Sequence, residues 1–483
     1  MKPYSLTPRR TQPSVPMLVL AAIAVLVTMT AVFLGKLNAT TATLSVVLAV
    51  SILAIRPRNE LLRLFKLFLL ATFCVLPAWQ LAAGDAIYLD LLKEDSTSVL
   101  LWFFLSVAGI WVLKISLDLA QRRLIERDNT PADQSGVTGL VYFFTLTSVA
   151  AIAFIYLKLG GYAKIVELYD ERLQSSVNGY DPLGGLGIVQ ALANTAPLWI
   201  FVCLTLRPRC SRLMTTVAFA QIGVLGWLAS GVFGNRQGII FAYLFAASIY
   251  HFLVAPISRR TAKMSAILMA VVALVLMPIK FGIDYSDLGN LTERFADQRS
   301  LELSMGPVSF FLFRDLSRFD VQTQTIETVT KNTYDLPMGR SFVGAAASVI
   351  PKALWEDRPS TFAEEKSDIV NEVQSSGDAE TTLLFGMPGE FLANFGLIGY
   401  VLSFSLPALL MVAVNSISGS RNRKWLPLKV VLMPLPFLFF LFDSNVLAYY
   451  VVRWIVLFAL PMAFVLRFSE DHNKAAAFGG PTS

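Results

Sequence analysis

Charge is scarce in this sequence. Only 15% of its 483 residues are Asp, Glu, Lys or Arg, against about 25% in an ordinary soluble domain. With 55% hydrophobic residues, the chain lacks the material for a solvated globular surface. Histidine is scarcer still: His251 and His472 are the only two. Cysteine occurs three times, as Cys74, Cys203 and Cys210, the first two inside apolar runs and the third just after one. That placement excludes a disulfide framework, and the residue count leaves no clustered His/Cys set to hold zinc. A phosphate-binding loop of the G-x-x-x-x-G-K type and a dinucleotide fingerprint after a strand are both missing. There is no internal repeat and no low-complexity tract. The net charge of +6 fits cytoplasmic anchoring charges better than a nucleic-acid surface.

What is present is a series of long apolar runs. Each is long enough to cross about 30 Å of hydrocarbon as a helix. Continuous runs such as Val15–Leu34 exclude a barrel, whose strands alternate over about ten residues. About twelve spans are expected, near 15–34, 39–55, 64–83, 98–118, 138–157, 187–206, 213–233, 238–254, 264–283, 391–413, 426–442 and 446–466. Arg9 and Arg10 precede the first run like the basic start of a signal peptide. That run is long and another follows at once, so a retained first helix is expected.

Basic residues set the orientation. Lys2, Arg9 and Arg10 flank the first span. Arg56, Arg58, Arg63 and Lys66, then Arg122, Arg123 and Arg127, then Arg207, Arg209 and Arg212 mark alternate connections. Arg259, Arg260 and Lys263, and finally Arg421, Arg423 and Lys424, continue the pattern. Basic connections face the cytoplasm, which places both termini inside. The expected organisation is spans one to nine over 1–283, with an outer loop at 158–186, and a large, partly helical outer loop over 284–390. The last spans follow over 391–467, and 468–483 form a cytoplasmic tail.

Arginine stands out on the outer side, at Arg172, Arg236, Arg314, Arg318, Arg340 and Arg358. Its planar fork takes two phosphate oxygens at once and stays charged near a membrane. Arg314 and Arg318 lie beside Asp315 and Asp320, and Arg358 follows Glu356 and Asp357, so carboxylate pairing is an equal reading for them. Arg236 sits in the tight turn Gly234-Asn235-Arg236-Gln237-Gly238, where glycines let a ligand approach the backbone. Its bland alternative is an interfacial arginine reaching for lipid headgroups. Arg453 lies inside the last span, where an ionisable group marks a cavity or a paired site. Glu390 opens the tenth span, and Asp443 lies between the last two. Either is placed to act as a general base at the outer surface. A carboxylate opening a helix is also favourable without any chemistry.

Three stretches carry a resemblance. They are Gly234-Asn235-Arg236-Gln237; Ser341 to Pro359, with Ile350-Pro351-Lys352 and Trp355-Glu356-Asp357-Arg358-Pro359; and Gly389-Glu390-Phe391 leading to Asn394-Phe395-Gly396. With these and its plan of spans and outer loops, the chain resembles the Wzy-type O-antigen polymerases, and through them the membrane glycosyltransferases of the C class. One departure is visible. Some members carry an Arg-x10-Gly pattern in two outer loops, whereas here Gly184 falls one residue too far from Arg172 and the long loop has no such spacing.

The resemblance implies a protein of the bacterial inner membrane acting at its outer face. Its substrates would be oligosaccharide repeat units on undecaprenyl pyrophosphate, polymerised into O-antigen or exopolysaccharide without cofactor or metal. It implies Glu390 as base, Arg236 on the leaving pyrophosphate, and Arg172, Arg314, Arg318, Arg340, Arg358 and Arg453 as further phosphate or glycan contacts. A flippase and a chain-length regulator are implied partners. Two alternatives stay open. An O-antigen ligase would share the plan but is expected to carry an outer-loop histidine. A lipid-oligosaccharide flippase or transporter would show repeats and broken helices.

Overall fold

The computed structural model describes residues 22, 26, 39–57, 60–83, 96–121, 139–165, 186–206, 211–230, 232, 236–255, 257–258, 316–331, 335–350, 354–362, 384–418 and 425–467. Among these the protein is all-helical, with no strand. We number the helices α1 (Ala39–Leu53), α2 (Glu60–Leu70), α3 (Leu76–Ala83), α4 (Ser96–Gln121), α5 (Gly139–Lys158), α6 (Gly187–Ala193), α7 (Ala196–Thr205), α8 (Arg212–Ala229) and α9 (Arg236–Ile249). They continue as α10 (Phe319–Thr330), α11 (Arg340–Ala347), α12 (Gly386–Ser403), α13 (Ser405–Ser418), α14 (Leu426–Leu432), α15 (Leu435–Leu441) and α16 (Ser444–Tyr450). A π-helical turn, Ala71–Val75, joins α2 to α3, and a longer π segment, Val451–Ala459, extends α16.

Six helical stretches among the described residues are long and apolar enough to cross a membrane: Leu61–Leu81, Thr97–Ala120, Gly139–Lys158, Gly187–Thr205, Arg212–Ala229 and Ser444–Arg467. A seventh is the bent pair α12–α13, whose axes differ by 51°. Their outward faces are apolar, as at Leu146, Leu157, Leu213 and Ile398, which is the surface a lipid environment requires. The expected spans at 39–55, 238–254 and 426–442 correspond to shorter apolar helices. The last of these is divided because Pro434 cannot continue a helix, so it becomes α14 and α15. The spans expected at 15–34 (apart from residues 22 and 26) and 264–283 lie outside the described residues.

Two large hydrophobic cores form among the described residues, beside a smaller cluster of Ala151, Ile152, Ile155, Ala193, Ala196 and Ala229. One gathers α1–α4 around Phe65, Phe73 and Trp102, and takes in Phe319, Tyr400, Phe404 and Phe440 from later in the chain. The other gathers Trp199, Phe201, Ile222, Phe245, Tyr450, Trp454 and Phe458 from α7, α8, α9 and the last span. Helix α15 serves both. Phe439 and Phe440 enter the first core, whereas Leu435, Leu438 and Phe442 enter the second.

One described part of the large loop expected at 284–390, Phe319–Thr330, lies inside the bundle, whereas residues such as Met338, Val343 and Leu354 are exposed. Helix α10 packs against α4 and α12, and every residue from Phe319 to Ile326 is buried. Its polar side chains are satisfied inside the bundle. The hydroxyls of Thr323, Thr325 and Thr330 bond the carbonyls one turn back. Gln322 Oε1 accepts from Trp102 Nε1 (2.9 Å) and from the Tyr400 hydroxyl (3.1 Å).

Lys66, expected as a cytoplasmic anchor, has a specific task. Its buried ammonium donates to the carbonyls of Leu53 (2.6 Å) and Ile55 (2.8 Å) at the end of α1. This cation satisfies orphan carbonyls at a helix C-terminus. Lys66→Met is expected to lower stability by about 1–3 kcal/mol, seen as an earlier thermal unfolding midpoint of detergent-purified protein. An unchanged midpoint would show that water replaces the ammonium at no cost.

Candidate functional site

The helix bearing Glu390 begins in an unusual way. Gly386 has φ +68°, and a Cβ added there would stand 2.4 Å from the Phe440 carbonyl oxygen. Only glycine allows this close crossing of α12 over the end of α15. The preceding residue, Phe385, is clamped on both sides. Its N–H donates to Asp443 Oδ1 (2.9 Å) and its carbonyl accepts from Gln322 Nε2 (2.8 Å). These contacts fix where the first turn of α12 points.

Glu390 is then fully enclosed, with 0% exposure. Its Oε1 accepts from the hydroxyls of Ser341 (2.7 Å) and Ser444 (2.5 Å). Its Oε2 accepts from the Ser444 backbone N–H (2.6 Å). A carboxylate at the first amide of a helix is favourably placed. Asp443, also buried, lies next in the chain to Ser444 and within electrostatic reach of Glu390.

Asn394 lies one turn beyond, on the same face. Its amide nitrogen donates to Ser341 Oγ and to the Glu390 carbonyl, both at 2.9 Å. Its Oδ1 accepts from Gly339 N–H (2.9 Å), and its carbonyl accepts from Met338 N–H (3.2 Å). Residues 338–341 thus form a strap across Glu390, turned by positive φ at Met338 and Gly339. Directly below, α12 is broken at Gly396, whose φ of 69° and ψ of −162° belong to a region open essentially to glycine alone.

The candidate residues divide among several places. Glu390 and Asp443 come together. Arg318 is buried beside them in the fold, where Nε and Nη2 donate to the Leu441 carbonyl (3.0 and 2.8 Å) and Nη1 to the Ser317 carbonyl (2.7 Å). Arg340 opens α11 and is exposed. Arg358 donates to the carbonyls of Ser348 (3.3 Å) and Ile350 (3.2 Å), beyond the end of α11. Arg236 is the first residue of α9, but its side chain lies outside the described residues, as do Arg172 and Arg314 entirely. Arg453 lies in the last span, with its guanidinium carbon 5.1 Å from the Trp454 ring centre.

Ser341, Ser444 and Gln322 were not marked by sequence reasoning. Serine and glutamine carry little signal singly. The spacing of Phe319, Gln322, Thr323 and Ile326 along one helical face was the available hint that 319–330 is an interior helix. Among the described residues, no group of three or more His, Cys, Asp or Glu side chains gathers to hold a metal ion. The chain matches no protein-family model, no curated protein and no solved structure.

Proposed function

We propose that this chain is a membrane glycosyltransferase that polymerises oligosaccharide repeat units carried on a lipid pyrophosphate, at the outer face of the bacterial inner membrane. The observation that carries the reading is the carboxylate pair Glu390–Asp443, knitted by Ser341, Asn394 and Ser444. It joins two of the three stretches that resemble the Wzy-type polymerases, and it lies near the end of the last span that the basic-residue pattern places outside.

In the reaction, a sugar hydroxyl of the incoming unit attacks the anomeric carbon of the growing glycan. The bond from that carbon to the pyrophosphate oxygen breaks, and the lipid pyrophosphate departs with the electron pair. The hydroxyl proton passes to a carboxylate, which we assign as Glu390. Arginines neutralise the leaving group where water is scarce, with Arg236 at the start of α9 in that role. Arg172, Arg314, Arg340 and Arg358 share the remaining phosphate and glycan contacts. Because Glu390 is enclosed, the strap 338–341 must lift before the hydroxyl can reach it. The expected twelve-span plan supplies the frame, and a chain-length regulator and a flippase would act beside it.

A second reading has a specific observation behind it. The break at Gly396 and the 51° bend between α12 and α13 are features of transporters, which favours a lipid-oligosaccharide flippase. Glycan length on cells carrying Arg236→Ala separates the two. With protein level checked in the same membranes, the polymerase reading expects long chains to collapse to single repeats, a loss of about 100-fold or more. Loss of all surface glycan, single repeats included, indicates export instead. An unchanged ladder makes Arg236 a lipid anchor.

A further inference from the structure

Helix α11 is amphipathic in the sense opposite to that of a helix facing water. Hydrogen bonds carry its turns on as far as Ile350. Over that length Val343, Ala346 and Ile350 are exposed, at the spacing of a single helical face. The buried face carries Ser341, Gly344, Ala345 and Ser348. A surface helix of a soluble domain turns its apolar residues inward instead. Here the inward side is fastened by polar groups. Ser341 Oγ donates to Glu390 Oε1 (2.7 Å) and accepts from the Asn394 amide (2.9 Å).

Depth and continuity identify what lies against the outward side. Ser341 and the Ser444 backbone N–H meet on the single carboxylate of Glu390, and α11 packs along α16. Glu390 stands near the start of α12, and Ser444 opens the span Ser444–Arg467. Helix α11 is therefore level with the ends of two membrane segments, where hydrocarbon gives way to headgroups. Phe342, the neighbour of Val343, packs on the rings of Phe391 and Phe395, with centres 4.8 and 6.0 Å apart. Phe395, Ile398 and Leu402 are exposed in turn along α12, on the side that acyl chains cover. The apolar surface of α11 is joined to that side through the Phe342–Phe395 contact. A few residues further on, Leu354 and Trp355 are exposed as well, and indoles are enriched at membrane interfaces.

We propose that α11 lies in the plane of the membrane, with Val343, Ala346 and Ile350 set among the lipids of the leaflet at which α12 and the last span begin. A helix of this kind sinks its apolar side about 5–10 Å into the boundary of headgroups and chains. The same turns hold Ser341 on Glu390, so the leaflet bears on the strap over that carboxylate. The placement depends on the membrane-spanning helices alone, and no step of glycan transfer enters into it.

The test uses the full-length protein in vesicles of phosphatidylethanolamine and phosphatidylglycerol, with photoreactive benzoylphenylalanine in place of Val343 or, separately, of Ile350. Leu402 is the lipid-facing reference position. Lipid adducts, measured by mass spectrometry, are expected at 343 and 350 within about threefold of the yield at 402. A covalent dimer of the chain in place of lipid adducts overturns the proposal in favour of a second copy on this face. Adducts of neither kind overturn it in favour of water. Two positions on one face keep the test decisive if one variant does not accumulate. In the same vesicles, Val343→Asp puts a charge on the membrane side and leaves Ser341 and Glu390 unaltered. Amide hydrogen exchange over 338–346 is expected to quicken about tenfold in that variant, and to stay unchanged in Val343→Ala. Exchange that is indifferent to the charge, or that quickens equally in both variants, overturns the link between the leaflet and the strap.

Discussion

Glu390→Gln is expected to reduce surface glycan to single repeat units while the protein stays in the membrane. The substitution keeps the shape of the side chain. Its oxygen can still accept from the Ser341 and Ser444 hydroxyls, which now hold Oε1 at 2.7 and 2.5 Å. The new amide group, in the place of Oε2, faces the Ser444 N–H donor, so one bond is lost at a cost of about 1–3 kcal/mol. That is a modest penalty for a large bundle. A general base contributes about 100- to 10,000-fold to a rate, and the amide cannot take a proton in its place. Chain length should therefore fall far more than abundance. Quantifying the polymer ladder and the membrane-bound protein in the same cells reads both. If length falls only in proportion to abundance, Glu390 is a structural fastener and the base lies elsewhere.

The largest stability effect is expected from Gly386→Ala. The backbone there sits at φ +68°, and the added methyl would lie 2.4 Å from a carbonyl oxygen of α15. The conformation costs about 1–2 kcal/mol. The overlap is with backbone, which cannot swing aside, and adds about 1–3 kcal/mol. Gly161 is the control. It has φ +95° and nothing within 4 Å of its built Cβ, so Gly161→Ala carries only the conformational cost. Thermal unfolding of the two variants in detergent should show a clearly larger drop for Gly386→Ala. Equal drops would mean that α12 and α15 can separate without loss.

Much of the bundle was legible because lipid demands apolar faces on every side, so runs such as 98–118 and 138–157 announce helices of that length. The interior of the large loop was not legible in the same way. Phe319–Thr330 is polar by composition, and its burial depends on partners more than 200 positions away in sequence, Trp102 Nε1 on Gln322 among them. Glu390 and Asn394 could be found because they share a helical face. Ser341 and Ser444 could not, since nothing in the order of residues shows that 49 and 54 positions will be closed to hydrogen-bonding distance. The arginines were visible as a class, but sequence could not tell Arg318, spent on carbonyls of its own chain, from Arg453, which lies against the Trp454 ring.

The strap over Glu390 is fastened unequally from its two sides. Met338 and Gly339 contribute backbone N–H groups, which every amino acid except proline possesses. Asn394 contributes a particular side chain whose oxygen and nitrogen are both engaged. Sequence drift is therefore cheap at Met338, whereas Ser341 on the strap and Asn394 across from it each engage a particular side chain. Met338, 71% exposed and at φ 49°, can be exchanged widely, with asparagine or glycine better suited to that conformation. Asn394 has no substitute of the same size that both donates and accepts. In a library of random variants selected for long glycan, position 338 should diversify while position 394 stays asparagine.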